Sequence, residues 1–343
     1  MKTVVLKIYN EDDVKNIERA AEILKNGGLV AIPTETVYGL AANALDERAI
    51  ERIFAAKGRP RDNPLIVHIN SYNQIELLAR DIPPTARSLA EAFWPGPLTL
   101  VLPKRASVPR RVSGGLDTVA LRVPAHFAAR AIITASGLPL AAPSANISGS
   151  PSPTSARHVL KDLDGLVDAV VDSGDCAVGV ESTVLSLANT PPKLLRPGGV
   201  TPAQIRSVIG DIEIDKAVLN ALDDTAEVAS PGMKYKHYSP KARVILIKGE
   251  LAPFLDYVYA NASDTTAVLC FEGEEPLMPV TAVPYGGIDS PQEQARRLFA
   301  ALREIDEMPG IKTVYARCPD SEGLGLAVYN RLLRAAAFEV VEV

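Results

Sequence analysis

Apolar positions in the first two hundred residues switch between two periods. TVVLKI, Thr3 to Ile8, is a strand-like run, after which Val14, Ile17, Ala21 and Leu24 form one stripe of a helix predicted from about Glu11 to Asn26 and stopped at Gly27 and Gly28. LVAI returns to strand. Asp46 is placed to cap a second helix carrying Ile50, Ile53 and Phe54, followed by strand-like LIVHI, a helical region up to Phe93, and the runs LTLVL and TVALRVP. A helix from Ala125 to Ser136 leads into PLAAPSANISGSPSPTS, which is too rich in turn formers for a helix and too apolar at its start for a linker. Its first half reads as a buried strand ending in a loop. LVDAVVD, STVLSL and LLRPGG follow, and Thr201 with Pro202 opens a short helix as N-cap and first helical residue.

Interleaved helices and strands predict an α/β domain with a mixed sheet over residues 1–210. Residues 211–243 contain SPGMKYKHYSPKA, which has no period and reads as a linker. Tyr235, His237 and Tyr238 are unusual in a mere spacer, so the segment is expected to rest on a surface as a lid. From 244 to 343, RVILIKG, TTAVLC and KTVYAR alternate with helical stretches, which predicts a small open α/β sheet.

Composition narrows the function. The 343 residues carry 47% apolar and 22% charged side chains with a formal net charge of -5, ordinary for a globular enzyme and unlike a general polyanion binder. One Trp and seven Phe argue against stacking platforms for single-stranded nucleic acid. Cys176, Cys270 and Cys318 are far apart and odd in number, which indicates neither a disulfide framework nor a zinc knuckle and fits a reducing cytoplasm. Residues 1–30 lack the apolar block of a signal peptide or membrane span.

The chemistry is carried by loops after strands. There is no G-x-x-x-x-G-K-[ST], no G-x-G-x-x-G after a strand, no metal-ligand spacing among the four histidines and no G-x-S-x-G elbow. Instead PTETVYG offers Thr34 and Thr36 beside Glu35; KGRPRDNP gathers Lys57, Arg59 and Arg61; TVALR ends in Arg122; LAAP runs into Ser144 and Asn146; LLRPGG carries Arg196. Strand-end loops of an open α/β sheet converge on one crevice, so together these residues describe an anion pocket. Singly, each also fits a plain role: a turn, an N-cap, a surface ion pair, a core histidine at His68, or an exposed strand-edge charge at Glu181.

PTETVYGL, KGRPRDNPLIVHI, WPGPLTLVL, TVALRVP, APSANISGSPSPT, GVESTVL and LLRPGG together resemble the YrdC-like domain of the threonylcarbamoyl-AMP synthase family. SPGMKYKHYSP and the α/β module after it resemble the linker and Rossmann-like extra domain of its two-domain form. The resemblance implies a YrdC-like twisted mixed sheet and a nucleotidyl transfer in which L-threonine, bicarbonate and ATP, accompanied by magnesium, give threonylcarbamoyl-AMP and pyrophosphate. Other proteins then place the threonylcarbamoyl group on tRNA. The expected partners are therefore the three substrates, those downstream transfer proteins and at most a weak tRNA contact, with no membrane. Carried over by motif, Lys57, Arg59, Ser144 and Asn146 are the expected catalytic and phosphate-contacting residues, with Asn63, Thr118, Ser152, Arg196 and Tyr235 as further ATP contacts. Thr36, His68, Arg122, the backbone around Ala142, and Ser182 are the expected L-threonine contacts. No carboxylate cluster offers a protein cage for the metal. Ala41, Arg61 and Ser239 depart from the family pattern without removing a proposed ligand.

Two other readings compete: a non-catalytic RNA-binding module using a cationic concave face, and a carbamoyl-transfer enzyme on the same domain. The acidic balance opposes the first, and the absence of zinc-finger cysteine spacing opposes the second.

Overall fold

A computed structural model describes residues 2–220 and 238–343. Among the described residues, eleven strands form one mixed, twisted sheet and five form a second. In the large sheet, Val4–Lys7 at one edge pairs parallel with Ala169–Asp172, which pairs parallel with Val30–Ile32. The order continues through Gly39–Asn43, Leu140–Ala141, Ile66–His68, Thr118–Arg122 and Leu98–Pro103 to Thr183–Ser186, Lys193–Arg196 and Glu213–Ile214.

The large sheet is covered on both faces, which is why its strands read as near-continuous apolar runs. Leu29 and Ala31 pack with Leu40, Ile53, Phe54, Val67 and Leu121 on one side. Val30 and Ile32 pack on the other with Ile17 and Leu24 of the helix Val14–Lys25 and with Ile132 and Ile133 of Phe127–Ser136. Helix ends follow local chemistry: Asp46 accepts from the Arg48 amide at 2.9 Å to start Glu47–Lys57, and Gly58 at φ 61° stops it. Thr201 and Gln204 form a capping box ahead of Pro202–Ile209.

The second sheet is parallel throughout: Ala282–Pro284, Thr266–Cys270, Thr313–Arg317, Arg243–Lys248 and Val340–Glu342, in that spatial order. Helices Leu251–Asn261, Pro291–Glu307 and Gly325–Ala335 connect its strands. This is the small open α/β architecture expected from the sequence. No described helix is long and apolar enough to cross a membrane.

Two features depart from the sequence reading. Residues 211–220, expected to belong to a linker, add Glu213–Ile214 in parallel to Lys193 and Leu194 and then a short turn, Lys216–Val218. The two sheets also share a core, for Val37 and Val180 of the large-sheet loops lie in one apolar cluster with Leu246, Phe299 and Val328.

Candidate active site

Strand register assembles the site. His68 lies opposite Arg122 in the parallel pair of Ile66–His68 with Thr118–Arg122, so the two side chains leave the sheet together. Leu140 and Ala141 flank the other edge of Ile66–His68, the Ala142 amide donates to Ile66 O at 2.9 Å, and Ser144 bridges to Gly39. These strand ends and loops line a partly open cavity of about 60 Å³.

Its wall carries Thr36, His68, Arg122, Ala142 and Ser182, all the residues expected to meet L-threonine. Thr34 Oγ1 donates to Val37 O at 2.6 Å and accepts from the amides of Thr36 and Val37, which folds PTETVYG into a turn that turns Thr36 toward Arg122. Arg122 donates from Nη1 to Thr36 Oγ1 at 2.9 Å and from Nε to Gly96 O at 3.1 Å, while Nη2 lies 2.6 Å from Glu35 Oε1. Burial would raise the Glu35 carboxyl, but Arg122 outweighs it and holds Glu35 below the usual range. His68 is lowered to about 3 by burial first and by Arg122 second, so its imidazole is neutral. Its Nδ1 is buried without a partner among the described residues.

The nucleotide candidates divide. Arg59, Ser144 and Arg196 line the cavity. Arg59 is clamped by Pro64 O at 3.0 Å and Asn63 O at 3.4 Å, and burial lowers its pKa to about 10. Arg196 donates from Nε to Ser182 O at 3.0 Å and from Nη2 to Ser182 Oγ at 3.2 Å. Lys57 is behind the wall instead of on it. As the last residue of its helix it is buried, and Nζ donates to Ser144 O and Asn146 O with Asn146 Oδ1 at 3.4 Å. Burial and then Arg59 press its pKa well below the ordinary lysine value. Asn146 also shapes the loop, donating to Ile147 O and Ser150 O at 2.8 and 2.9 Å. Asn63 is fully buried with both amide atoms unpartnered among the described residues. Thr118 is on the same strand face as Arg122 but roughly 13 Å along it, off the cavity wall. Ser152 is buried and donates to Glu181 Oε1. Tyr235 lies outside the described residues, as does His237.

Glu181 and Tyr238 complete the wall. Glu181, which the sequence allowed as an exposed edge charge, is buried, with Arg331 Nε 2.8 Å from Oε2. Its neighbours in GVEST gave no sign of this partner, which comes from 150 residues away. Arg61, the third cation of the KGRPRDNP elbow, is exposed and pairs with Glu51 at 3.1 Å. For magnesium, no group of three or more carboxylate, His or Cys side chains among the described residues could hold the ion. The only carboxylate on the described wall, Glu181, is already committed to Arg331 and Ser152.

Buried cations, hydroxyls and a neutral imidazole around one cavity of an α/β sheet are chemically suited to small anionic molecules. A Sua5/YciO/YrdC family model described as telomere recombination matches residues 22–198, and one described as threonylcarbamoyl-AMP synthase, C-terminal domain, matches residues 200–337. A threonylcarbamoyl-AMP synthase of Pyrococcus abyssi is 48% identical over 99% of this chain and 100% of its own length. One from Bacillus subtilis is 46% identical over 95% of this chain and 94% of its own. The solved structure of P. abyssi Sua5 complexed with L-threonine superposes with a TM-score of 0.92 at 46% identity, covering 99% of this chain and 100% of that one. Escherichia coli YciO, 24% identical with a TM-score of 0.51 over 58% of this chain and 96% of its own, shares the fold of the large sheet. The chain belongs to the threonylcarbamoyl-AMP synthase family.

Proposed function

We propose that this protein is a nucleotidyltransferase that forms threonylcarbamoyl-AMP and pyrophosphate from L-threonine, bicarbonate and ATP. The observation that carries the reading is the set of side chains lining one cavity. Arg122, His68, Thr36 and Ser182 line it together with Arg59, Arg196 and Ser144, and Arg196 donates to Ser182. The P. abyssi relative binds L-threonine in its solved structure, and its likeness along nearly the whole chain supports the same amino acid here.

Arg122 is suited to the threonine carboxylate. Thr36, Gly96 O and Glu35 orient its guanidinium from three directions, and a planar fork of five N–H donors has capacity beyond those contacts. Neutral His68 can accept a hydrogen bond from the threonine ammonium or hydroxyl without adding positive charge. The threonine amine combines with bicarbonate to give a carbamate and water. A carbamate oxygen then attacks the α-phosphorus of ATP as the bond to pyrophosphate breaks, so no covalent protein nucleophile is needed. Arg59 and Arg196 neutralise charge on the phosphates, and the Ser144 loop supplies directional hydrogen bonds. Lys57 contributes by holding that loop through the Ser144 and Asn146 carbonyls. Asn63, with its buried amide unpaired, is a candidate for a polar nucleotide group.

Magnesium enters with ATP as part of the substrate, its ligands supplied by phosphates and water. We place the reaction in the cytoplasm, with downstream proteins moving the threonylcarbamoyl group to tRNA. The test is pyrophosphate release from the purified protein with ATP, magnesium and bicarbonate, with and without L-threonine, using L-serine as the control for the methyl group. Threonine-dependent release is expected. Release that ignores threonine, or none under any condition, would contradict the reading.

A further inference from the structure

The second sheet's helices reach the wall of the cavity. Arg331, on Gly325–Ala335, is 0% exposed. Its Nε donates to Glu181 Oε2 at 2.8 Å, Nη2 to Glu181 O at 3.3 Å, and Nη1 to Pro197 O at 2.9 Å, and its guanidinium carbon stands 5.6 Å from the centre of the Tyr238 ring. Glu181 and Tyr238 line the cavity, and Pro197 follows Arg196, which does so too. The other Glu181 oxygen accepts from Ser152, and the next residue, Ser182, accepts from Arg196. One side chain from the C-terminal sheet thus ties together three segments of the wall.

The backbone is built for this approach. Gly179, two residues ahead of Glu181, has φ +82°, and a Cβ there would lie 2.3 Å from the Arg296 Cα and 2.5 Å from Ala295 O on the helix Pro291–Glu307. A second buried cation, Arg303 on that helix, donates to Pro151 O at 2.6 Å, beside Ser152, and to both oxygens of Asp162 at 3.0 and 2.7 Å.

We infer that Arg331 is a positioning residue for the reaction, acting through Glu181 to fix Ser152, Ser182 and Arg196. The inference rests on the proposed synthase reading. Its physical basis is charge balance at a buried carboxylate. Two cations face Glu181: Arg331, which leads, and then Arg196. With Arg331 in place, Glu181 is satisfied from outside the cavity and Arg196 remains directed at Ser182 and the substrate space. Without it, the buried carboxylate is left to Arg196 and would draw that guanidinium away from the phosphates, because a buried charge whose partner is removed must find another or become neutral.

The test compares full-length wild type with Arg331→Lys, Arg331→Met and the double variant Arg331→Met with Glu181→Gln. Pyrophosphate release gives kcat and KM for each substrate, and calorimetry measures ATP binding separately from turnover. Arg331→Met should lower kcat/KM for ATP at least about tenfold, a loss of the size that misplaced binding groups produce. Removing the stranded charge in the double variant should recover part of that loss, at least about threefold over Arg331→Met. Arg331→Lys, which keeps a charge beside Glu181 but loses the fork to Pro197, should weaken ATP less than Arg331→Met does, by about threefold, and supplies the result if Arg331→Met does not fold. Wild-type kinetics in a folded Arg331→Met or Arg331→Lys protein, or a double variant no better than the single, would overturn the inference and leave Arg331 as interface packing alone. A wild-type protein that releases no pyrophosphate with threonine would instead count against the synthase reading, and ATP binding would still report on Arg331.

Discussion

Lys57, Arg59, Arg122 and Arg196 are buried around one cavity in a chain of net charge -5, and each is held by carbonyl, hydroxyl or carboxylate oxygens. Those oxygens keep cations in place that would otherwise cost several kcal/mol each to desolvate. Lys57→Met removes the anchor of the loop from Ser144 to Asn146, and turnover should fall by about 10²-fold while the protein remains folded by circular dichroism. Arg122→Lys keeps the charge and loses the fork, so KM for threonine should rise about tenfold with a smaller change in kcat, as steady-state kinetics would show. His68 supplies a pH signature. Its folded pKa of about 3 lies below the ordinary 6.5, so between those values the unfolded chain binds the extra proton and stability is lost as pH falls. That slope amounts to at most about 1.4 kcal/mol per pH unit. Urea midpoints of His68→Gln should therefore vary less than those of wild type from about pH 4 to 6.

Elements convert scattered sequence positions into neighbours. Ile66–His68 and Thr118–Arg122 bring His68 and Arg122 side by side because their parallel register pairs the last residue of one strand with the last of the other. Those strands were legible as apolar runs, and the cations at their ends were legible as strand-end chemistry, because both signals are local. The position of Lys57 was not legible: period and composition place it at an elbow, whereas the helix extends through it and Gly58 turns the chain only afterwards. The contact between Ser152 and Glu181 was not legible for a related reason, since their hydrogen bond joins loops whose meeting depends on the assembled sheet. The N-cap at Asp46 offers a clean element-level test. Asp46→Ala should lower stability by about 1 kcal/mol in urea titration while leaving substrate KM values unchanged, because the cap is exposed at the helix end far from Lys57.

At the scale of the whole molecule, the linker-like composition of residues 211–243 suggested two separate bodies, yet the described residues on either side are packed together. Val37 and Val180 share a core with the second sheet, Ser239 donates to Ala335 O at 2.9 Å, and Asn330 and Arg334 donate to Val218 O and Ala217 O. Composition reports on local chain preference and carries no information about such long-range burial. Urea unfolding followed by fluorescence and circular dichroism should accordingly show one coincident transition, and two well-separated transitions would contradict the shared core. Whether one cavity joins threonine, bicarbonate and ATP is tested by mass spectrometry of the product formed with ¹³C-bicarbonate. A threonine-containing adenylate one mass unit heavier than that from ordinary bicarbonate, seen with L-threonine and absent with L-serine, is the predicted result. An adenylate that carries no label from bicarbonate, or no adenylate at all, would contradict the proposed reaction.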